Sequence, residues 1–258
     1  MAQLGVAATE FGPDDFLPAD PTERAETLAR HGMHAVGGFV PVVLHDDRYD
    51  PTAAIAVALT AFQRAGARRL VLAADTGSAG YEGRPELSDA QWARLLGNLE
   101  VIAVQAQERG IVASIHPHVG TMIESADDVA RVLAGSTVGL CLDTGHLLIG
   151  GSDPVALAVE HPDRVTHVHL KDVRLTIAAE FRRGELTYLD AVRQGMYAPL
   201  GGGDVDVARI VAALENAGYN GYYVLEQDTI LEREPPANTG PIDDVRRSLD
   251  FITRVAQP

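Results

Sequence analysis

Residues 165–172 read Val-Thr-His-Val-His-Leu-Lys-Asp, and this stretch narrows the folds that the rest of the chain allows. Because side chains alternate across a strand, His167, His169 and Lys171 share one face, and the two apolar residues between them share the other. Three polar groups on an inward face are costly unless they are paired or bind a ligand. The pattern predicts an inner strand of a (β/α) barrel that carries functional groups, with satisfied core histidines as the alternative.

Around this stretch, short apolar runs alternate with longer amphipathic segments. Strands are predicted at residues 6–11, 35–40, 69–74, 111–116, 138–142, 165–170 and 222–226. Helices are predicted at residues 21–31, 51–65, 88–109, 125–134, 153–161, 205–217 and 242–255. Several begin with recognisable caps, and Asp204 is predicted to cap the helix that starts at residue 205. Strict alternation implies a parallel sheet covered by helices, either a closed barrel or an open doubly wound sheet.

Polar residues favour the barrel, because they recur where the predicted strands end. These residues are Glu10, His116 with His118, Asp143 with His146, His169 with Lys171, and Glu226. A closed barrel brings all these ends to one mouth, whereas an open sheet would spread them along an edge. No G-x-G-x-x-G follows the first strand, which weakens the dinucleotide-binding version of the open sheet. We therefore predict a single α/β TIM-barrel domain over residues 1–258.

The predicted strands are one fewer than the eight of a complete TIM barrel. Only seven strands are clear, so a further β/α unit ahead of Met1, or a strand near residues 197–200, would be needed. Residues 174–203 form the longest stretch without a clear β/α unit and are predicted to be an active-site insertion.

Composition excludes several classes of partner. The formal net charge of −15 argues against nucleic-acid and membrane-surface binding, because both need a basic face. The single cysteine, Cys141, allows no intrachain disulfide, which fits a reducing compartment. The first residues lack the basic and apolar regions of a signal peptide, and no apolar run is long enough to span a membrane. We expect a cytoplasmic protein.

Two motifs offer ligands for a metal ion. Asp143 ends a buried strand and His146 follows three residues later, and carboxylate and imidazole donors suit Mn²⁺, Co²⁺ or Zn²⁺. The alternative is a loop cap followed by an ordinary loop histidine. His116 and His118 again share one face, with packing around Pro117 as the alternative.

Three glutamates and the single lysine are further candidate residues of a functional site. Glu226 finishes an apolar strand and is predicted to be a ligand rather than an arginine's partner, and Glu10 repeats the pattern more weakly. Glu124 begins a helix, where an acid also complements the helix dipole. Lys171 is the only lysine in the chain and falls inside the densest cluster of these residues.

Together these motifs resemble the xylose-isomerase-like barrel superfamily of sugar isomerases and epimerases, and within it the inosose (2-keto-myo-inositol) dehydratases. The resemblance covers nearly the whole chain. It is carried by Thr9-Glu-Phe-Gly-Pro13, Gly37-Gly-Phe-Val-Pro41, His116-Pro-His-Val-Gly-Thr121 with Glu124, Leu142-Asp-Thr-Gly-His146, His167-Val-His-Leu-Lys-Asp172 and Leu225-Glu226. It implies a metal-dependent carbon–oxygen lyase that acts on a small polyhydroxylated ketone. A ketose isomerase or epimerase, and a non-catalytic sugar-binding domain, are the alternatives.

The resemblance also implies a divalent cation, Mn²⁺ or Co²⁺ before Mg²⁺ or Zn²⁺. Its ligands would be Asp143, His169, Glu226 and the residue that ends the strand at residues 111–116. The epimerases have a glutamate at that last position, as ligand and as one of two opposed acid/base groups. Here the residue is His116, so the two-carboxylate mechanism is not expected, and His116 is either a ligand or the base.

Further roles follow from the resemblance. The base would be His116 or Glu226, and the acid would be His146 or His118. Lys171 would act in catalysis or bind a substrate oxygen, and the substrate contacts would come from Glu10, Glu124, His146 and Lys171. Asp172 is a possible hydrogen-bond acceptor for a metal-binding histidine, although alternation puts it on the opposite face of the strand.

Oligomerisation is the last expectation. Relatives begin with a further strand and helix ahead of the segment that matches residues 5–13, and a barrel without them exposes strand edges. We therefore expect a homodimer, or poor stability as a monomer.

Overall fold

The fold alternates strands and helices, as the sequence predicts. The computed structural model describes residues 1–13, 15–81, 83–236 and 239–256. The strands are β1 (Ala8–Thr9), β2 (His34–Ala35), β3 (Gly37–Val42), β4 (Arg69–Ala74), β5 (Val112–Ile115), β6 (Gly139–Asp143), β7 (Val165–Leu170), β8 (Asp172–Val173), β9 (Tyr197–Ala198) and β10 (Tyr223–Leu225). The helices are α1 (Pro21–Arg30), α2 (Pro51–Ala65), α3 (Asp89–Gln107), α4 (Ala126–Gly135), α5 (Thr144–Ile149), α6 (Pro154–Glu160), α7 (Leu175–Arg182), α8 (Tyr188–Arg193), α9 (Val207–Asn216) and α10 (Pro241–Val255).

One parallel sheet runs through the molecule in the order β3-β4-β5-β6-β7-β10. β2 is separated from β3 by Val36 alone and pairs in parallel with β1, so β1 extends the same row. Neighbouring strands follow one another in the chain, whereas a doubly wound sheet reverses its strand order partway across. The TIM-barrel prediction is therefore confirmed.

The pairing of β6, β7 and β10 brings the carboxyl ends of these three strands to the same level of the sheet. Asp143 of β6 lies opposite His169 of β7, and Val224 of β10 also lies opposite His169. Because alternation repeats every second residue, Glu226 takes the same side as Val224 at the carboxyl end of β10. The sheet thus places three of the predicted ligands side by side.

Helix caps agree with the sequence in most places. Asp20 and Asp50 accept backbone hydrogen bonds in front of a proline, and Ser88 forms a capping box at α3. The prediction for Asp204 is wrong. α9 begins two residues later, with Asp206 as its cap, while Asp204 accepts the backbone N–H of Leu175 at the start of α7.

The predicted insertion at residues 174–203 contains two helices, α7 and α8, followed by β9. β9 pairs antiparallel with β8 and lies outside the main sheet. It is not an eighth barrel strand, so the alternative of a barrel strand near residues 197–200 is wrong. The short helix α5, directly after β6, was not predicted.

An apolar groove separates the two ends of the row of strands. β1 pairs only with β2 and β10 only with β7 in the described part of the chain. The groove encloses about 380 Å³, and its walls include Val6, Ala8, Val224, Leu225 and Leu249. Across it, His34 Nε2 and the Tyr222 hydroxyl lie 3.1 Å apart.

Among the described residues, no helix combines the length and the apolar character needed to cross a membrane.

Candidate active site

Three strand ends bring together a carboxylate, an imidazole and a second carboxylate. His169 Nδ1 lies 3.1 Å from Glu226 Oε1 and 3.7 Å from Asp143 Oδ2. The three donor atoms lie within 4.8 Å of one another, although the residues are far apart in the sequence. His169 and Asp143 are almost fully buried, at 1% and 0% side-chain exposure.

The free nitrogen of His169 fits a bound cation. Its Nε2 is 3.0 Å from Glu10 Oε1 and donates its hydrogen there, so in the neutral form of the ring Nδ1 would carry the lone pair. That buried Nδ1 makes no hydrogen bond to any described residue, despite the two oxygens near it. One nitrogen and two carboxylate oxygens form a donor set that suits Mn²⁺, Co²⁺ or Zn²⁺.

Burial and neighbouring charges act in opposite directions on the pKa values of His169 and Glu226. Burial disfavours a charged His169, but the carboxylates of Glu226 and Glu10 raise its pKa well above the usual range. Burial also opposes ionisation of Glu226, while His169 and Lys171 lower the pKa of that carboxyl. The acids therefore stay ionised and attract positive charge to the space between them.

Lys171 supplies a buried ammonium group beside these ligands. Its Nζ lies 2.7 Å from Glu226 Oε2, 2.9 Å from Asp228 Oδ2 and 3.5 Å from Asp143 Oδ2. Burial disfavours its charge, but the three carboxylates raise the pKa of Lys171 well above its usual value. A Cβ on Gly145 would come within 3.0 Å of the Lys171 side chain, so only glycine leaves room for it there.

His146 and His118 stack next to this ammonium, with ring centroids 3.7 Å apart. Lys171 Nζ donates to His146 Nε2 at 3.0 Å, and His118 Nδ1 donates to the Val119 carbonyl at 2.7 Å. Burial, with His116 and Lys171, lowers the pKa of His118 to about 3, and burial with His118 and Lys171 lowers that of His146. Both imidazoles are therefore neutral near pH 7.

His116 borders the same group. Its Nε2 lies 3.2 Å from Asp143 Oδ2, and its ring centroid lies 4.9 Å from that of His169. Cys141 lies behind these two rings, and burial raises the pKa of its thiol to about 11. Without a cation the thiol is neutral near pH 7.

Glu10 contacts histidines rather than the open mouth. Its Oε1 accepts from His169 and, at 2.6 Å, from His167 Nε2. The acceptor for the predicted metal-binding histidine is thus Glu10, and the expectation for Asp172 is wrong. Alternation turns Asp172 outward, where its carboxylate accepts the backbone N–H groups of Val173, Gly201, Gly203 and Val205.

We expect Asp172→Ala to lower the free energy of unfolding by about 3 kcal/mol or more, because each buried N–H donor left without an acceptor costs about 1–3 kcal/mol. Urea denaturation measures the change. Asp163→Ala, at an exposed position, is the control and should shift stability by less than about 0.5 kcal/mol. Equal, small losses in both variants would contradict this role for Asp172.

Glu124 contacts the loop that joins β5 to α4. Its Oε2 accepts the backbone N–H of Gly120 at 2.7 Å. Burial raises the pKa of its carboxyl despite that bond. A role in substrate binding for Glu124 stays a prediction.

Sequence reasoning missed several residues at the mouth. Asp228 lies two residues after Glu226, and this alternation was the available signal. The Tyr197 ring lies 5.3 Å from Lys171 Nζ, and its hydroxyl is 2.9 Å from that of Tyr188. No spacing rule marks these tyrosines, because they come from the insertion. Beside His118, a cavity of about 320 Å³ opens among Phe39, Asp75, Thr76, Tyr81 and Gly120.

Comparison with known proteins agrees with this architecture. The rhizopine catabolism protein MocC of Rhizobium meliloti is 32% identical over 99% of this chain and 79% of its own length. An inosose dehydratase of Geobacillus kaustophilus (strain HTA426) is 30% identical over 99% of this chain and 85% of its own length.

Two solved structures share the fold. The IOLI protein with a bound zinc atom has a TM-score of 0.71 at 16% identity, over 98% of this chain and 89% of its own. An L-ribulose 3-epimerase has a TM-score of 0.70 at 17% identity, over 98% of this chain and 85% of its own. The model of the xylose isomerase-like TIM barrel family matches residues 1–255, and the chain belongs to that family.

Proposed function

We propose that this protein is a divalent-metal-dependent dehydratase, which removes water from a cyclic polyhydroxylated ketone of the 2-keto-myo-inositol class. The observation that carries the proposal is the ammonium of Lys171, buried within 2.7 Å of Glu226 and 3.0 Å of His146. Loss of a hydroxyl group needs a proton donor at the leaving oxygen. Similarity to an inosose dehydratase over nearly the whole chain supports the substrate class.

Cation binding would involve Asp143, His169 and Glu226. A divalent cation held there would act as a Lewis acid on the ketone oxygen and would offset the carboxylate charge that raises the pKa of Lys171. The cavity beside His118 would give room for a small polyol, and the His118 ring centroid lies 5.3 Å from that of His116.

The base is assigned to His116. Both oxygens of Glu226 already have neighbours, with Oε1 at His169 and Oε2 at Lys171. His116 Nδ1, in contrast, makes no hydrogen bond within the described chain. His116 would take the proton from the carbon next to the ketone, and the electron pair of that C–H bond would pass into the enolate.

The acid is assigned to Lys171. His146 and His118 are neutral, and a neutral imidazole is a far weaker acid than an ammonium group. As the enolate collapses, the bond between the β-carbon and its hydroxyl breaks. Lys171 would give its proton to that oxygen, so water leaves and an unsaturated ketone remains. Return of the proton from His116 to Lys171 through solvent completes the cycle.

The test is incubation of the Mn²⁺- or Co²⁺-loaded protein with 2-keto-myo-inositol. We expect a product lighter by one water, with the ultraviolet absorbance of a conjugated ketone. Binding that raises the melting temperature without turnover would identify a sugar-binding domain instead.

An epimerase is the competing assignment and makes a different product. Several ketohexoses, incubated in deuterated water, would show inversion at C3 with deuterium uptake. That result, without water loss from the keto-inositol, would overturn the dehydratase proposal. The position of His116, where a second carboxylate would serve an epimerase, argues against it.

His116→Gln separates the two roles that the sequence leaves open for this residue. If His116 is the base, kcat should fall by about 10²–10⁴-fold, while the metal content and the KM change little. Metal analysis after gel filtration, with steady-state kinetics, measures both. Loss of metal in parallel with activity would instead make His116 a ligand.

A further inference from the structure

Two buried histidines share one oxygen of Glu10. His167 Nε2 lies 2.6 Å and His169 Nε2 3.0 Å from Glu10 Oε1, and the two rings are 0% and 1% exposed. Glu10 itself is 11% exposed and directly follows β1. The contact joins one end of the row of strands to β7, across 157 and 159 residues of sequence.

This contact fixes the tautomer of His169. An anionic carboxylate only accepts hydrogen bonds, so the nitrogen facing Glu10 must carry the hydrogen. In the neutral ring, which is the form that binds a cation, the lone pair then lies on Nδ1, towards Asp143 and Glu226. With the opposite tautomer, Nδ1–H would point at the cation position and exclude the cation.

His167 holds Glu10 in place. Its ring lies 5.2 Å from the ring of His169 at an interplanar angle of 75°, and its Nε2–H donates to the same oxygen. The carboxylate is therefore held between two rings.

We propose that Glu10 is a positioning residue of the cation site, which sets the tautomer and the ring orientation of His169, with His167 as its second anchor. The inference rests on the cation site of the proposed function and not on the reaction. Partners of this kind change metal affinity by about 10–100-fold.

The experiment measures Co²⁺ binding to the whole protein by its visible absorption spectrum and by competition with a chelator. Glu10→Ala should raise the Kd by about 10–100-fold and should alter the Co²⁺ spectrum at saturation. Glu10→Gln keeps an acceptor oxygen for both histidines, so it should recover most of the affinity. Glu100→Ala and Glu100→Gln are matched controls, because Glu100 accepts hydrogen bonds from Ser136 and Thr137 on the helical layer.

Two results would overturn the inference. One is an unchanged Kd and spectrum in Glu10→Ala. The other is a loss in Glu10→Gln as large as in Glu10→Ala, which would make charge, rather than orientation, the contribution of Glu10. A wild-type protein that binds no Co²⁺ would refute the cation site itself, a failure distinct from either of these.

Discussion

Lys171→Met is expected to lower kcat for dehydration by about 10²–10⁴-fold, the range that a positioned general acid contributes. Methionine keeps much of the length of the side chain and removes the ammonium that lies between Glu226 and Asp228. The metal-bound form should still fold, because a cation compensates part of the carboxylate charge. Steady-state kinetics with the keto-inositol, and metal analysis of the same sample, measure the effect.

Lys171→Arg is the matched variant. Arginine keeps a positive charge but does not give up its proton in proteins, so it should restore stability without restoring kcat. Activity of Lys171→Met within about tenfold of wild type would remove Lys171 from the mechanism. Recovery of activity in Lys171→Arg would show that charge alone is needed.

His169→Ala is expected to abolish cation binding, with a larger loss of affinity than the about 10–100-fold caused by removing an outer partner. The substitution removes the only nitrogen of the group formed with Asp143 and Glu226, and leaves their two carboxylates facing each other. The metal content of protein purified without chelator should fall close to zero, and turnover should fall with it.

The control for this variant is His31→Ala, which removes an exposed histidine at the end of α1. Its metal content should match that of the wild type. A His169→Ala protein that retains a full equivalent of cation would show that Asp143, His169 and Glu226 do not form the site.

The sequence predicts the strand face of this site well, because alternation is local. His167, His169 and Lys171 do lie on the inner side of β7, and Asp172 does lie on the other. The ends of parallel strands meet wherever the order of the strands is sequential, so the sequence alone places Asp143, His169 and Glu226 at one mouth. Their selection as ligands is what the family resemblance implies.

What the sequence does not determine is which polar group pairs with which. The resemblance implies a substrate contact for Glu10, yet its carboxylate contacts His167 and His169. The reason is that β1 lies at one end of the row of strands, and its distance from β7 depends on how strongly the sheet curves. The resemblance implies His146 or His118 as the acid, whereas we propose Lys171 for a similar reason. Burial and neighbouring charge set protonation, and neither is visible in a motif.

Short elements were also missed for a physical reason. α5, α7 and α8 have between six and eight residues, which display little helical period, and unlike the equally short α6 they do not begin with a cap followed by proline. Their stability comes from packing on the barrel mouth rather than from local propensity.

Within the described residues, strand β1 pairs with another strand on one side only, and Glu10 follows it directly. If the contact between Glu10 and His169 strengthens cation binding by a given free energy, cation binding must stabilise the position of β1 by the same free energy. A bound cation would then stabilise the amino-terminal edge of the sheet, and removal of the cation by a chelator would destabilise that edge. A cation at the proposed site would in this way stabilise the fold as well as take part in the reaction.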